Sequence, residues 1–166
     1  MAEPVAERPV LLLIGGGGFV WEARSLWSKL PQSTAWAFVI PDDSVTPDWT
    51  RAGTVHKLPS FASRSERGII RPVLGFVACL WKAWGLLRRV RPRLIICMGS
   101  AMAVPVLLPG RLMRTPSVFI ESITRTAELS RTGKLVAYLG LADMVLVQWP
   151  ELADAKRGYR FEGTVL

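Results

Sequence analysis

Short, wholly apolar runs alternate along this sequence with longer stretches of helical periodicity, and the glycine-rich turn "IGGGGFVWE" separates the first run from the first helix. These observations predict an α/β fold, a Rossmann-like doubly wound parallel sheet. Strands buried on both faces read as continuous apolar stretches, and the helices between them supply the cover. In such a sheet ligands sit outside the carboxyl ends of the strands, so the residues just after each strand are the first place to look for a site.

The elements follow in order. The first strand is expected at 10–14, directly before the glycines, and a helix at 21–30 after them. A second strand at 35–40 is stopped by the breaker "PDD", and a weaker one lies at 54–58. After a loop rich in Ser and Arg comes a long helical pattern at about 69–90. Within it Val73, Phe76, Val77, Leu80, Trp81, Trp84 and Leu87 recur at helical steps. The strand "LIIC" at 94–97, a helix at 104–113 and the strand "SVFI" at 117–120 come next. A helix at 134–141, the strand "MVLV" at 144–147, a short helix opened by Pro150 and an apolar tip "GTVL" complete the chain. No internal repeat or low-complexity linker intervenes, so residues 1–166 read as one domain.

With 166 residues, half of them hydrophobic, the chain can bury a sizeable core. Its net charge of +8 points to an anionic partner: nucleic acid, an acidic lipid headgroup or a phosphorylated substrate. No recognisable nucleic-acid motif is present, so no nucleic-acid partner is expected. Cys79 and Cys97 lack metal-ligand spacing and form no disulfide framework, as suits a reducing compartment. The opening "MAEPVAERPV" is not a signal peptide, and no later run is long and uncharged enough for a spanning helix.

Three stretches carry candidate chemistry. Gly15, Gly16, Gly17 and Gly18 permit positive φ and let backbone N–H groups and a helix N-terminus face an anion. The turn is neither a dinucleotide fingerprint nor a P-loop, and tight packing alone explains many such turns. Glu22 serves at least as a partner for the helix dipole. The stretch "FIESITRTAELSRTGKL" ends a strand in Glu121 and Ser122 and gathers Arg125, Ser130, Arg131 and Lys134 above the sheet. A solvated charged loop is the plain alternative. Asp42, Asp43, Gly99, Ser100 and Gln148 also follow strands directly. The third stretch is the helix at 69–90, with Trp81 and Trp84 adjacent and Arg88 and Arg89 near its end. Burial of that face against the sheet is one reading. A helix lying in the bilayer interface, held by Phe76, Leu80, Trp81 and Trp84 and by basic residues on anionic lipid, is the favoured one.

The segment "FIESITRT-ELSRTGKL-----ADMVLVQWPEL", the basic stretch after it and the glycine turn with Glu22 resemble the membrane-associated subunit of the two-component UDP-N-acetylglucosamine transferase that builds dolichol-linked oligosaccharide. They resemble still more its bacterial counterparts in capsule and exopolysaccharide synthesis. The likeness spans almost the whole chain. It implies the N-terminal, acceptor-binding half of a split GT-B glycosyltransferase, inverting and UDP-sugar dependent, with neither metal nor other cofactor. It implies a separate catalytic, donor-binding partner and a polyprenyl-diphosphate-linked sugar acceptor. The expected location is the cytoplasmic face of the inner membrane, peripheral or monotopic.

On that resemblance the acceptor would be held by Gly15 to Gly18, Arg64, Arg67, Gly99, Ser100, Ser122, Arg125, Ser130 and Lys134. Gln148, Val165 and Leu166 would face the partner. Relatives usually carry histidine where this chain has Phe19, so a carboxylate must deprotonate the acceptor hydroxyl. Glu121, Asp43 and Glu22 are the candidates. The alternative is a membrane scaffold that recruits the catalytic chain and does no chemistry.

Overall fold

The computed structural model describes residues 7–61 and 70–165. The strands are β1 (Val10–Leu13), β2 (Trp36–Pro41), β3 (Thr54–Leu58), β4 (Leu94–Met98), β5 (Ser117–Ile120), β6 (Met144–Val147) and β7 (Tyr159–Phe161). The helices are α1 (Phe19–Ser28), α2 (Ile70–Val90), α3 (Ala103–Leu112) and α4 (Arg131–Tyr138), with short 3₁₀ turns at Asp48–Ala52 and Pro150–Leu152. All seven strands pair in parallel, in the order β3-β2-β1-β4-β5-β6-β7. The order runs outward in both directions from β1 and β4. Their carboxyl ends therefore flank the crevice where the connections part to opposite sides.

Alternation along each strand divides the core into two layers. Leu11, Leu13, Ile95, Cys97, Phe119 and Val145 pack beneath α2, α3 and α4. Val10, Leu12, Phe38, Ile40, Ile96 and Ile120 pack beneath α1, where Trp27, Trp49 and Phe38 form an aromatic cluster with ring centroids 5.4–6.4 Å apart. Each fully buried Leu or Phe contributes about 1.5–3 kcal/mol. Both cysteines belong to the α2–α3 side of this core. Burial pushes the Cys79 thiol up to about 11 and Cys97 further, which leaves both unreactive at neutral pH.

Two elements differ from expectation in informative ways. Helix α4 begins at Arg131 rather than 134, because Ser130 caps it: its hydroxyl accepts from Gly133 N–H at 3.0 Å. Strand β7 was not expected, since "YRF" has no apolar run. It is nevertheless an edge strand paired with β6.

Helix α2 buries one face and exposes an apolar stripe on the other. Cys79, Ala83, Leu86 and Leu87 are buried against the sheet and α3. The opposite face leaves Val73, Leu74, Val77 and Trp81 at 52, 63, 55 and 79% exposure. Of the expected interface residues, Trp81 is the exposed one. Phe76 is half-buried with its ring 5.4 Å from Phe61, and Leu80 and Trp84 are also half-buried. The exposed stripe therefore keeps Val73, Val77 and Trp81 of the expected face and adds Leu74, while Leu87 of that face is in the core. Arg88 and Arg89 are exposed. Among the described residues no helix is long and apolar enough to cross a membrane.

Candidate functional site

The carboxyl ends of β1, β2, β4 and β5 and the first turn of α4 enclose a cleft of about 780 Å³. Gly16 and Phe19 enter it from the first turn, Asp43 from the end of β2, Ser100 from the end of β4, and Arg125 and Lys134 from the far side. The glycines divide by role. Gly15 is buried, and a Cβ there would meet Phe19 Cδ2 at 2.8 Å and the Ser100 Cβ at 2.9 Å. A Cβ on Gly99, at φ +30°, would meet the other side of the same ring at 2.6 Å. Both glycines thus make room for the Phe19 ring. Gly16, Gly17 and Gly18 are exposed at the start of α1, with Gly17 at φ +65° and open space around it.

Charge at the cleft is mixed. Arg125 and Arg131 are exposed and make no ion pair among the described residues. Lys134 pairs with Glu128, and its hydrogen bond and charge hold the Glu128 carboxyl below the usual range. Asp43 is exposed on the opposite lip. Arg131, Ser44 and Ser60 also line the cleft. Arg131 was visible in the sequence as a cation beside Ser130. Ser60 is brought in because its N–H donates to Asp42 Oδ1 at 3.0 Å, a contact across eighteen positions with no local signal.

Beneath the lip lies a buried polar bracket, and it corrects several expectations. Glu121 is fully buried: Oε1 accepts from Ser122 N–H at 2.9 Å, and Oε2 accepts from the N–H and the hydroxyl of Ser130, each at 2.9 Å. Glu22 is 4% exposed and accepts from the Ser122 hydroxyl at 2.7 Å, Ile123 N–H at 3.1 Å and the Gln148 amide at 3.1 Å. Neither carboxylate faces the cleft, so neither is placed to take a proton from a bound hydroxyl, and of the three candidates only Asp43 lines it. Ser122 and Ser130 have committed their hydroxyls to these carboxylates rather than to a ligand.

The partner-facing residues are corrected too. Gln148 is 1% exposed, donating to the Glu121 carbonyl at 2.8 Å and accepting from Val165 N–H at 3.0 Å. Val165 is 7% exposed within the α1-side core, and Lys29 donates to its carbonyl at 3.0 Å. It needs no second chain to cover it. Arg64, Arg67 and Leu166 lie outside the described residues. Trp149 completes the bracket by donating from Nε1 to the Ile123 carbonyl at 2.6 Å. The Glu-Ser and Gln-Trp pairs, far apart in sequence, are thus two sides of one device that fixes the segment 121–124 and the loop leading from it to Arg125.

Residues 51–165 match the family described as "Oligosaccharide biosynthesis protein Alg14 like". A relative from Homo sapiens, UDP-N-acetylglucosamine transferase subunit ALG14, is 33% identical over 106 residues, which cover 60% of this chain and 48% of its own. The Schizosaccharomyces pombe subunit of the same name is 24% identical over 183 residues, covering 96% and 84%. The UDP-N-acetylglucosamine--N-acetylmuramyl-(pentapeptide) pyrophosphoryl-undecaprenol N-acetylglucosamine transferase of Alkalilimnicola ehrlichii is 27% identical over 162 residues, covering 90% and 42%. The chain thus spans about half the length of the human relative. Among solved structures, Acinetobacter baumannii MurG superposes with a TM-score of 0.74 at 15% identity, over 96% of this chain and 46% of that one. CalG4, the calicheamicin glycosyltransferase, does so at 0.58 and 16%, over 96% and 53%. Sharing its fold with about half of each of these GT-B glycosyltransferases, and matched by the family model over 51–165, the chain belongs to the Alg14-like family of oligosaccharide biosynthesis proteins.

Proposed function

We propose that this chain is the acceptor-binding subunit of a two-component, inverting, UDP-sugar-dependent glycosyltransferase, active together with a separate donor-binding catalytic chain. The observation that carries the reading is the cleft at the point where the strand order parts. There a glycine turn, the start of α1, Arg125 and Arg131, which make no ion pair among the described residues, and the Asp43 carboxylate face one space. Printed names of relatives support the chemistry: UDP-N-acetylglucosamine transferase subunits, and a transferase acting on a pyrophosphoryl-undecaprenol substrate. The match to about half of each larger glycosyltransferase chain supports a donor lobe supplied by a partner.

In this reading the acceptor is a polyprenyl-diphosphate-linked sugar of bacterial exopolysaccharide or capsule synthesis. Its diphosphate takes charge-assisted donors from Arg125, Arg131 and Lys134 and backbone N–H groups of Gly16 to Gly18. Asp43 accepts the proton of the acceptor hydroxyl as that oxygen bonds to the anomeric carbon and the bond to the UDP oxygen breaks. Phe19 forms an apolar wall and holds no proton. The exposed stripe of α2, with Arg88 and Arg89, rests on the cytoplasmic face of the inner membrane and brings the cleft to the lipid carrier.

The test is co-expression with a donor-binding partner and an assay with UDP-N-acetylglucosamine and a polyprenyl-diphosphate sugar. Asp43→Asn is expected to lower kcat by about 10²–10⁴-fold with KM, Tm and complex formation unchanged. An undiminished kcat removes Asp43 as base. If Arg125→Ala is neutral as well, the chain is a scaffold that only recruits the catalytic subunit.

A further inference from the structure

Edge strand β3 and the second half of α2 enclose a groove of about 550 Å³ that shares no lining residue with the cleft. His56 and Lys57 line it from the strand, and Trp81, Lys82, Gly85 and Arg89 from the helix. Lys57, Lys82 and Arg89 are exposed, and none makes an ion pair among the described residues. Like charges gathered without a carboxylate repel one another, which an anion between them would relieve. His56 Nε2 is buried without a hydrogen-bond partner. Burial first, and the Arg89 charge second, hold this imidazole below its ordinary value.

Gly85 adds an independent sign. A glycine inside a helix weakens it relative to alanine, and here a Cβ would meet nothing within 4 Å. Packing therefore does not require the glycine, and its absent side chain leaves the groove open. One to three turns earlier, the same helix presents its exposed stripe of Val73, Leu74, Val77 and Trp81.

We propose that this groove is a binding site for the phosphate of an anionic lipid headgroup, gripped by Lys82 and Arg89 and completed by His56, with Lys57 adding its charge from the edge of β3 and Trp81 at the glycerol–acyl boundary. Cationic donors form strong hydrogen bonds to phosphate oxygens, and Trp settles at that depth of a bilayer. The inference rests on the membrane-docking reading of α2 and adds a defined headgroup site to it. The groups facing His56 here are cationic, so a bound phosphate favours its imidazolium.

The chain has one histidine, whose ring resonances make an unambiguous reporter. Titrating the full chain with short-chain phosphatidylglycerol below its micelle concentration is expected to move those resonances and raise the titration midpoint of His56. Inorganic phosphate is expected to do so only at about a hundredfold higher concentration, since it lacks the glycerol and acyl groups that Trp81 would cover, and each buried CH₂ adds about fourfold. Equal potency of inorganic phosphate would assign the groove to a soluble phosphoryl compound and overturn the lipid. No shift with either ligand overturns the site.

Vesicle binding separates this site from general membrane attraction. The combination Lys57→Ala, Lys82→Ala and Arg89→Ala is expected to weaken binding to phosphatidylglycerol-containing vesicles about a hundredfold. Arg24→Ala, Lys156→Ala and Arg160→Ala together should cost less than about threefold, being away from the groove. Equal losses would overturn the groove in favour of net charge. Gly85→Glu places a carboxylate among the cations in a better helix former. It should abolish the lipid-induced His56 shift with Tm unchanged or raised, and a retained shift counts against the site. Replacing Val73, Leu74 and Val77 with Ser tests the docking face alone. If that variant leaves the membrane while the triple cation variant stays bound, docking stands and the headgroup site falls.

Discussion

The two tiers at the carboxyl ends of the strands contrast sharply. The lower tier, Glu22, Glu121, Ser122, Ser130 and Gln148, is buried, and six donors from neutral groups satisfy its two carboxylates. The upper tier, Asp43, Arg125 and Arg131, is exposed and makes no ion pair of its own among the described residues. Both tiers gather at the carboxyl ends of the strands, and both looked functional as sequence. The difference teaches that a strand-end carboxylate can serve by building the loop that carries the reactive lip. Burial costs a polar group little once every hydrogen bond is made, so the lower tier rigidifies while the upper tier stays free for a ligand.

Glu121→Ala is the sharpest way to break this contrast. It orphans the Ser122 N–H and both donors of Ser130, and should cost about 3 kcal/mol or more, a fall in Tm of about 6–12 °C. Thermal unfolding followed by circular dichroism measures it. A variant with unchanged Tm and lost turnover would return Glu121 to the catalytic candidates.

Gly133 tests the same tier from the other side. Alanine for glycine within a helix normally stabilises by about 1 kcal/mol. Here the added Cβ would collide with Glu121 Oε2. Gly133→Ala should therefore destabilise, by about 2 kcal/mol or about 4–8 °C. A gain in Tm would mean that the bracket is loose.

These residues also mark what was legible in the sequence. The strands declared themselves as apolar runs, and the glycine turn and the Glu-Ser end of β5 located the site's end of the sheet. Which way a strand-end side chain points was not legible. Glu121 follows Ile120, which faces α1, so alternation sends the carboxylate under α4, and the donors awaiting it come from Ser130, nine positions on. Val165 read as an exposed apolar residue because its cover, Gln148 and the α1 layer, is distant in sequence. Strand β7 was hidden because three residues at a sheet edge carry too little apolar pattern. On α2 the period was right, but the face read as one divides between the exposed side, with Val73, Val77 and Trp81, and the core, with Leu87, since nearly all-round apolarity gives no signal for which stripe meets the sheet.

The upper tier should respond in binding and not in stability. Arg125→Ala removes an exposed cation from the cleft and is expected to raise the acceptor KM about tenfold in the reconstituted complex, with Tm within about 1 °C of the parent. Gly17→Val should weaken acceptor use likewise, though its φ of +65° adds backbone strain of about 1 kcal/mol or more. A fall in Tm for Arg125→Ala matching that of Glu121→Ala would merge the two tiers and defeat the distinction.

The smallest expected effect concerns His56, a half-buried group belonging to neither tier. Its imidazole is held below the ordinary 6.5, first by burial and then by Arg89. Between the folded value and 6.5 the unfolded chain binds a proton that the folded chain refuses. Stability therefore rises with pH through that window and is lost on acidification. Lys57, Lys82 and Arg89 are the charged groups that line the same groove. His56→Gln should flatten the change in Tm between about pH 7.5 and about pH 5.5, by no more than about 2 °C because the group is partly solvated. Anionic lipid should reverse the sign in the parent chain, since a phosphate beside the ring makes the imidazolium the preferred form. A parent chain whose Tm falls equally on acidification with and without lipid would leave His56 as an ordinary half-buried residue of an edge strand.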